Sequence, residues 1–209
     1  MKNFRELVIV CAASAALLIL TIAATDTATA KSAVCQNNLR TLFGVIQQYQ
    51  TDHGVLPPVI VQQKPRWQFW GNYIAPYITD EKIQACPEDP RNASMFDRNR
   101  SPLLPAPRRA ADSYGMNYFL TAHYARRKGK TANLANLSKP ADTILLGDCK
   151  GPYMLPERYW QEERAMRHAE ETANYVFADG HIAQLGQFDL GAIGQDGVFR
   201  TDLSHWHWL

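Results

Sequence analysis

The sequence predicts an α+β chain, a long N-terminal helix carrying a head of short strands and long loops. Leu7 to Ala24 is an uncharged, apolar run of eighteen residues. Behind it Cys35, Leu39, Leu42, Ile46 and Tyr49 recur at spacings of four, three, four and three, the period of one buried helix face. Near the other end two apolar, β-prone runs flank Asp179-Gly180, a hairpin signature.

At about 1.5 Å per residue the apolar run covers roughly 27 Å, close to the hydrocarbon core of a bilayer. Lys2 and Arg5 precede it and the next basic residue is Lys31. The positive-inside rule therefore puts the N-terminus in the cytoplasm and the head outside. Residues 1–30 read as a retained single-pass inner-membrane anchor, and 31–209 as a periplasmic or otherwise extracytoplasmic domain. Within it 31–53 is the amphipathic helix and 54–209 the head. A secretory signal cut after Ala28-Thr29-Ala30 shares this topology. The run is longer than an ordinary signal core, however, and the amphipathic helix begins at the supposed cut, which favours the anchor. Ala12, Ala13, Ser14, Ala15 and Ala16 would let neighbouring membrane helices approach closely. Gln36, Asn37, Asn38, Arg40 and Gln47 point away from the apolar face. His53-Gly54 with Pro57-Pro58 ends the helix, because Gly accepts a left-handed cap and Pro cannot continue the ladder.

Composition bounds the rest. About 150 residues follow the stalk, room for one compact domain. A formal charge of +2 gives no bulk argument for nucleic acid or an acidic partner. Cys11, Cys35, Cys86 and Cys149 show no CxxC spacing, which excludes a zinc ribbon or a thioredoxin-type motif. Cys11 lies in the apolar run, so an extracytoplasmic head has three cysteines, enough for one disulfide.

Along the head, Arg66 to Thr79 carries Trp67, Phe69, Trp70, Tyr73 and Tyr77 at spacings that read as a short helix on the core. Cys86-Pro87-Glu88-Asp89-Pro90 opens a long irregular segment to Asp112. That segment holds Arg91, Arg98, Arg100, Arg108 and Arg109, with Arg126, Arg127, Lys128 and Lys130 downstream. With no aromatic interleaving, these charges read as solvated loops. Ser113 to Leu120 and Thr143 to Asp148 read as strands. Asp148, at a strand end with no partner identifiable in sequence, reads as a turn cap. In the hairpin, Tyr175 and Phe177 face one side and Val176 and Ala178 the other, so one face can sit on the stalk helix. Asp179-Gly180 supplies the positive φ angles of its tight turn, and His168 and His181 read as side chains satisfied at turns or helix ends.

Four ordered blocks resemble a known family. They are Cys35-Gln-Asn-Asn-Leu-Arg40 running to Gly54-x-x-Pro57-Pro58, then Trp70-x-x-Tyr73-Ile-Ala-Pro-Tyr77 with Cys86-Pro87. Ser113-Tyr114-Gly-Met-Asn117 and a C-terminal box holding His168, Asp179, Gly180 and His181 complete the set. The combination resembles the prepilin-type, pseudopilin-like family whose box is His, nine residues, then Asp-Gly, relatives of type II secretion pseudopilins. The resemblance implies a pilin-like fold, the outer half of the helix packed on a small antiparallel sheet with long loops. It implies a structural and assembly role rather than catalysis, no cofactor, and partners among pilin-like subunits or secretion-system components. Two departures stand out. Ten residues separate His168 from Asp179, and Asn3-Phe4-Arg5-Glu6 lacks the Gly-Phe start with Glu four positions on. Glu6 is the candidate for the acidic residue that registers a neighbouring subunit.

Other candidate sites follow from residue type. Cys35 and Cys86 are the best disulfide pair, one on the helix and one ending the overlying segment; on the chain-entropy model closing that loop contributes about 4 kcal/mol. Related pseudopilins hold calcium near the C-terminus, which makes Asp189, Asp196 and Asp202 weak calcium candidates. His205-x-His207 has a spacing that can bind zinc, though with Trp206 and Trp208 alternating it reads better as a terminal strand. Two rival functions remain: a metal-dependent hydrolase using His168, Asp179, His181, His205 or His207, and a glycan- or DNA-binding envelope module using Arg126, Arg127 and Lys128.

Overall fold

The N-terminal helix is one continuous element, α1, Lys2–His53. The computed structural model describes the backbone of residues 2–63, 66–90, 113–120, 132–154 and 165–186, with side chains from 27 onward apart from those of 63–67. The apolar run Leu7 to Ala24 and Glu6 therefore lie outside the described side chains. So do the basic segments and the candidates Asp189, Asp196, Asp202, His205 and His207. Among the described residues no helix is long and apolar enough to cross a membrane.

The face of α1 made by Cys35, Leu39, Leu42, Ile46 and Tyr49 is buried along its whole length. Asn38, expected to point away, is buried as well, because its amide donates to the Ala85 carbonyl at 3.0 Å. α1 ends where Gly54, at φ 73°, donates to the Gln50 carbonyl. The segment around Asn133 closes over that end: its side chain donates to the Gly54 carbonyl, and the Leu134 N–H donates to Gln50 Oε1.

A hairpin, β1 (Ile60–Gln63) and β2 (Arg66–Phe69), leads into the short helix α2 (Trp70–Ile74). The aromatic segment is thus half strand and half helix rather than one helix. The Phe69 N–H donates to the Asn72 side chain and starts the helical turn there. Trp70 and Ile74 are fully buried, and Tyr73 and Tyr77 meet Tyr49 edge-on.

The main sheet has the order β5-β3-β4-β6-β7, from β3 (Tyr114–Asn117), β4 (Ile144–Asp148), β5 (Tyr153–Met154), β6 (Thr172–Phe177) and β7 (Ile182–Gly186). The fold is α+β as expected, but the sheet is mixed and not wholly antiparallel, since β5 runs parallel to β3. The chain leaves β4 and crosses over Gly115 to reach the far side of β3. A Cβ at Gly115 would lie 2.8 Å from Cys149 Cβ and 3.1 Å from the Gly151 carbonyl. Only a residue without a side chain leaves room for so short a crossing.

The sheet's two faces bury different sets. Leu146, Val176 and Ala178 join the helix face in the main core, while Ile144, Met154, Tyr175 and Phe177 form a second layer on the other side. A register shift between Ile144 and Leu146 puts Leu145 in the main core too. The β6–β7 turn has three loop residues: the Gly180 N–H donates to the Phe177 carbonyl, and the Phe177 N–H to that of His181. Where the sequence suggests positive φ at both Asp179 and Gly180, only Gly180 has it, at 93°. This is a type I turn closed by a left-handed residue. The turn also presses on the helix, for a Cβ at Gly180 would come within 2.7 Å of Phe43 Cε1.

Gly180→Ala combines a left-handed alanine with a clash on Phe43, and should cost about 1–3 kcal/mol. Urea unfolding of the purified chain checks this; an unchanged midpoint would refute the close approach of hairpin and helix.

Candidate functional site

Asp148 ends β4 with its side chain on the helix side, fully buried, and four residues from three other parts of the chain converge on it. It is not a turn cap. Its carboxylate accepts from Arg167 Nη1 at 3.2 Å, from the Asn174 N–H at 2.8 Å and from His168 Nε2 at 2.9 Å. The Cys35 thiol lies 3.6 Å from both of its oxygens. An isolated buried carboxylate is costly, so this number of donors is what such a position demands.

Arg167 is the main counter-charge, with only 7% of its side chain exposed. Beyond Asp148 it reaches Asp89 at 3.1 Å and donates to the carbonyls of Ser113 and Cys149 at 2.9 and 2.6 Å. Ser113 Oγ donates to the same Asp89. One guanidinium therefore ties the start of β3, the end of β4 and the loop after Cys86 together. Its planar fork can satisfy all of these directions at once.

His168 enters from a turn in which Glu170 and Glu171 take φ of 59° and 52°. That turn folds His168 back on Thr172, each N–H donating to the other's carbonyl. The imidazole bridges two carboxylates, Nδ1 donating to Glu88 and Nε2 to Asp148. Cys86 Sγ lies 3.7 Å from the same Nε2. On α1, Cys35 Sγ accepts from Tyr114 OH of β3 at 3.4 Å, and Gln36 donates to Asn174 at 3.1 Å. The polar edge of the helix face thus meets polar groups of the sheet.

Charge within the cluster is divided unevenly. Burial pushes the Cys35 thiol well up. The Cys35 hydrogen bond lowers Cys86 to about 6, overcoming burial, which acts the other way. Burial disfavours a charged His168, but hydrogen bonds with Asp148 and Cys86 outweigh it and raise the ring to about 10. These shifts favour the thiol at Cys35, the thiolate at Cys86 and the imidazolium at His168.

Cys35 and Cys86, the pair expected to form a disulfide, stand side by side, and each keeps its thiol. The box residues separate into two places. His168 belongs to the buried cluster; Asp179, Gly180 and His181 form the turn beyond the other end of β6, a strand of six residues and about 20 Å. Asp179 Oδ1 accepts from the His181 N–H and ring at 3.0 and 2.7 Å, and that ring stacks on Phe177. The set His168, Asp179 and His181 is therefore not brought together as a hydrolase would need. Cys35, Cys86 and Asp148 are wholly buried and His168 nearly so. Among the described residues, these four form the gathered group that could hold a metal ion.

Sequence reading missed Arg167, Glu88 and Asp89 as site residues and misjudged Asp148. The available signal was that three of the four ordered sequence blocks carry a cysteine or a histidine, Cys35, Cys86 and His168. Comparison with protein-family models, curated proteins and solved structures finds no match to this chain.

Arg167→Leu strands Asp148 and Asp89 as uncompensated buried charges and should destabilise the fold by about 3–5 kcal/mol. Arg167→Lys should recover only part of this, because an ammonium cannot span the same directions. Chemical denaturation of the three proteins checks the order; equal stability of Arg167→Leu and the unaltered chain would refute it.

Proposed function

We propose that this chain is a membrane-anchored, extracytoplasmic pilin-like protein. It acts structurally, by assembly or interaction, in the cell envelope or in a type II secretion-like system. The observation that carries the reading is the length of α1. Its 52 residues amount to about 78 Å of helix. In its second half the helix packs on the head, from Ser32 to His53. The first half contains the uncharged run Leu7 to Ala24, of bilayer-spanning length. A helix whose second half is embedded in its own head and whose first half is an uncharged run of bilayer-spanning length is what an assembly subunit uses. The enclosed character of the Cys-Asp-His cluster supports the same reading, since buried groups of this kind hold structure together.

In this role the membrane takes the first half of α1, with Glu6 near its cytoplasmic edge as the residue that registers a neighbour. Pilin-like subunits or secretion components are the partners. The head contributes a rigid surface outside the membrane. No nucleic acid is needed.

Membrane fractionation tests the proposal. The full chain should stay with membranes in alkaline carbonate and leave them in detergent, and protease added outside should digest the head. Mass spectrometry should find the N-terminus at Met1 or Lys2. Release by carbonate, or a mature chain starting at Lys31, would refute the anchor and with it the assembly role.

A further inference from the structure

We propose that Cys35, Cys86, Asp148 and His168 form a structural zinc site that fastens α1 to the head. The four ligand atoms lie within 4.8 Å of one another. His168 Nε2 is 2.9 Å from Asp148 Oδ2, Cys35 Sγ is 3.6 Å from the same oxygen, and Cys86 Sγ is 3.7 Å from Nε2. Zinc bonds of about 2.0–2.1 Å to N or O and about 2.3 Å to sulfur make tetrahedron edges of about 3.3–3.8 Å. Three of the separations are within a few tenths of an ångström of these edges, and the widest, at up to 4.8 Å, has to close by at most about 1 Å to admit the ion.

The surrounding groups are those a zinc site uses to hold its ligands. Glu88 accepts from His168 Nδ1, which fixes the ring with Nε2 facing the centre. A carboxylate behind a metal-binding histidine orients the ring and raises its basicity. Arg167 holds Asp148 Oδ1, leaving Oδ2 on the side of His168. Tyr114 OH donates to Cys35 Sγ, a bond that would steady the sulfur as a thiolate once it holds the ion. The divalent ion would offset two of the three negative charges carried by two thiolates and a carboxylate, and the Arg167 guanidinium lies against the third at Asp148, with Asp89 and Glu88 beyond them. Thiolate ligands select zinc over calcium or magnesium. The complete protein ligand set and its burial mark a closed structural site, with no position open for a reacting water.

The site joins parts of the chain that nothing local connects. Cys35 is on α1, Cys86 follows the turn Glu81–Gln84, Asp148 ends β4 and His168 precedes β6. The inference does not depend on where the chain resides or what it assembles with. It replaces a Cys35–Cys86 disulfide, which would use the same two sulfurs.

Elemental analysis and X-ray absorption of the detergent-purified full chain, isolated without chelator, provide the test. About one zinc per chain is expected, with a first shell of two sulfurs and two nitrogen or oxygen atoms. Cys86→Ala and His168→Ala should each lose at least nine-tenths of the metal. Cys149→Ala, a buried cysteine outside the set, should keep it. Because the ligand variants also disturb packing, the absorption spectrum of the unaltered chain decides. Less than a tenth of an equivalent after incubation with zinc and desalting would overturn the site, as would a sulfur-free first shell. A Cys35–Cys86 disulfide found by alkylation and peptide mapping of the isolated chain would do the same.

Discussion

The buried carboxylate of Asp148 is the constraint around which the head is arranged. It sits at the end of a central strand, out of reach of water. A charge in that position survives only if donors surround it, and they come from different parts of the chain: Arg167, His168, the Asn174 N–H and Cys35. Each donor fixes the element that carries it. Arg167 goes on to hold Asp89 and the carbonyl of Ser113, and His168 to hold Glu88. The loop after Cys86, which has no regular ladder to position it, is thereby tied to the sheet. Where apolar packing supplies most of the stabilisation, this polar centre supplies the register of helix, loop and sheet.

The helix is bound to that centre at one end of its packed face and to apolar groups along the rest. Cys35 meets the cluster. Leu39, Leu42 and Ile46 fill the main core with Leu146 and Val176, and Tyr49 meets Tyr73 and Tyr77. Phe43 takes the Gly180 turn. The helix is therefore a wall of the core rather than an appendage, and displacing it would expose both the apolar face and the charges behind it. The proposed zinc ion would add a fastening where the packed face of α1 meets the Asp148 cluster.

Much of the fold could be read from sequence, and the part that could not has a physical explanation. The helix face, the Gly54 cap and the 172–186 hairpin depend on periodicity and turn chemistry within short windows. The family resemblance, on four short blocks, implies a helix on a small sheet, and the α+β architecture agrees with that at the coarse level. The parallel β3–β5 pairing was not legible because it depends on a crossing over Gly115 that only the fold brings about. The strand in Arg66 to Phe69 was masked by aromatic spacing that suits a helix equally well. The cluster was the least legible of all, since no two of Cys35, Cys86, Asp148 and His168 lie closer than twenty positions. The lack of a CxxC spacing excludes a zinc ribbon without excluding a site assembled from four elements. Asp148 looked like a strand-end cap because its donors are on other elements.

The account rests on α1 and the sheet forming one cooperative unit around Asp148. Native-state hydrogen exchange measures this directly, by the opening free energies of amides in α1 from Cys35 to Tyr49 and in β4 and β6. The account predicts that the two groups open together, at one common value near the global stability. Helix amides that exchange through a separate, much cheaper opening while β4 and β6 stay protected would contradict it.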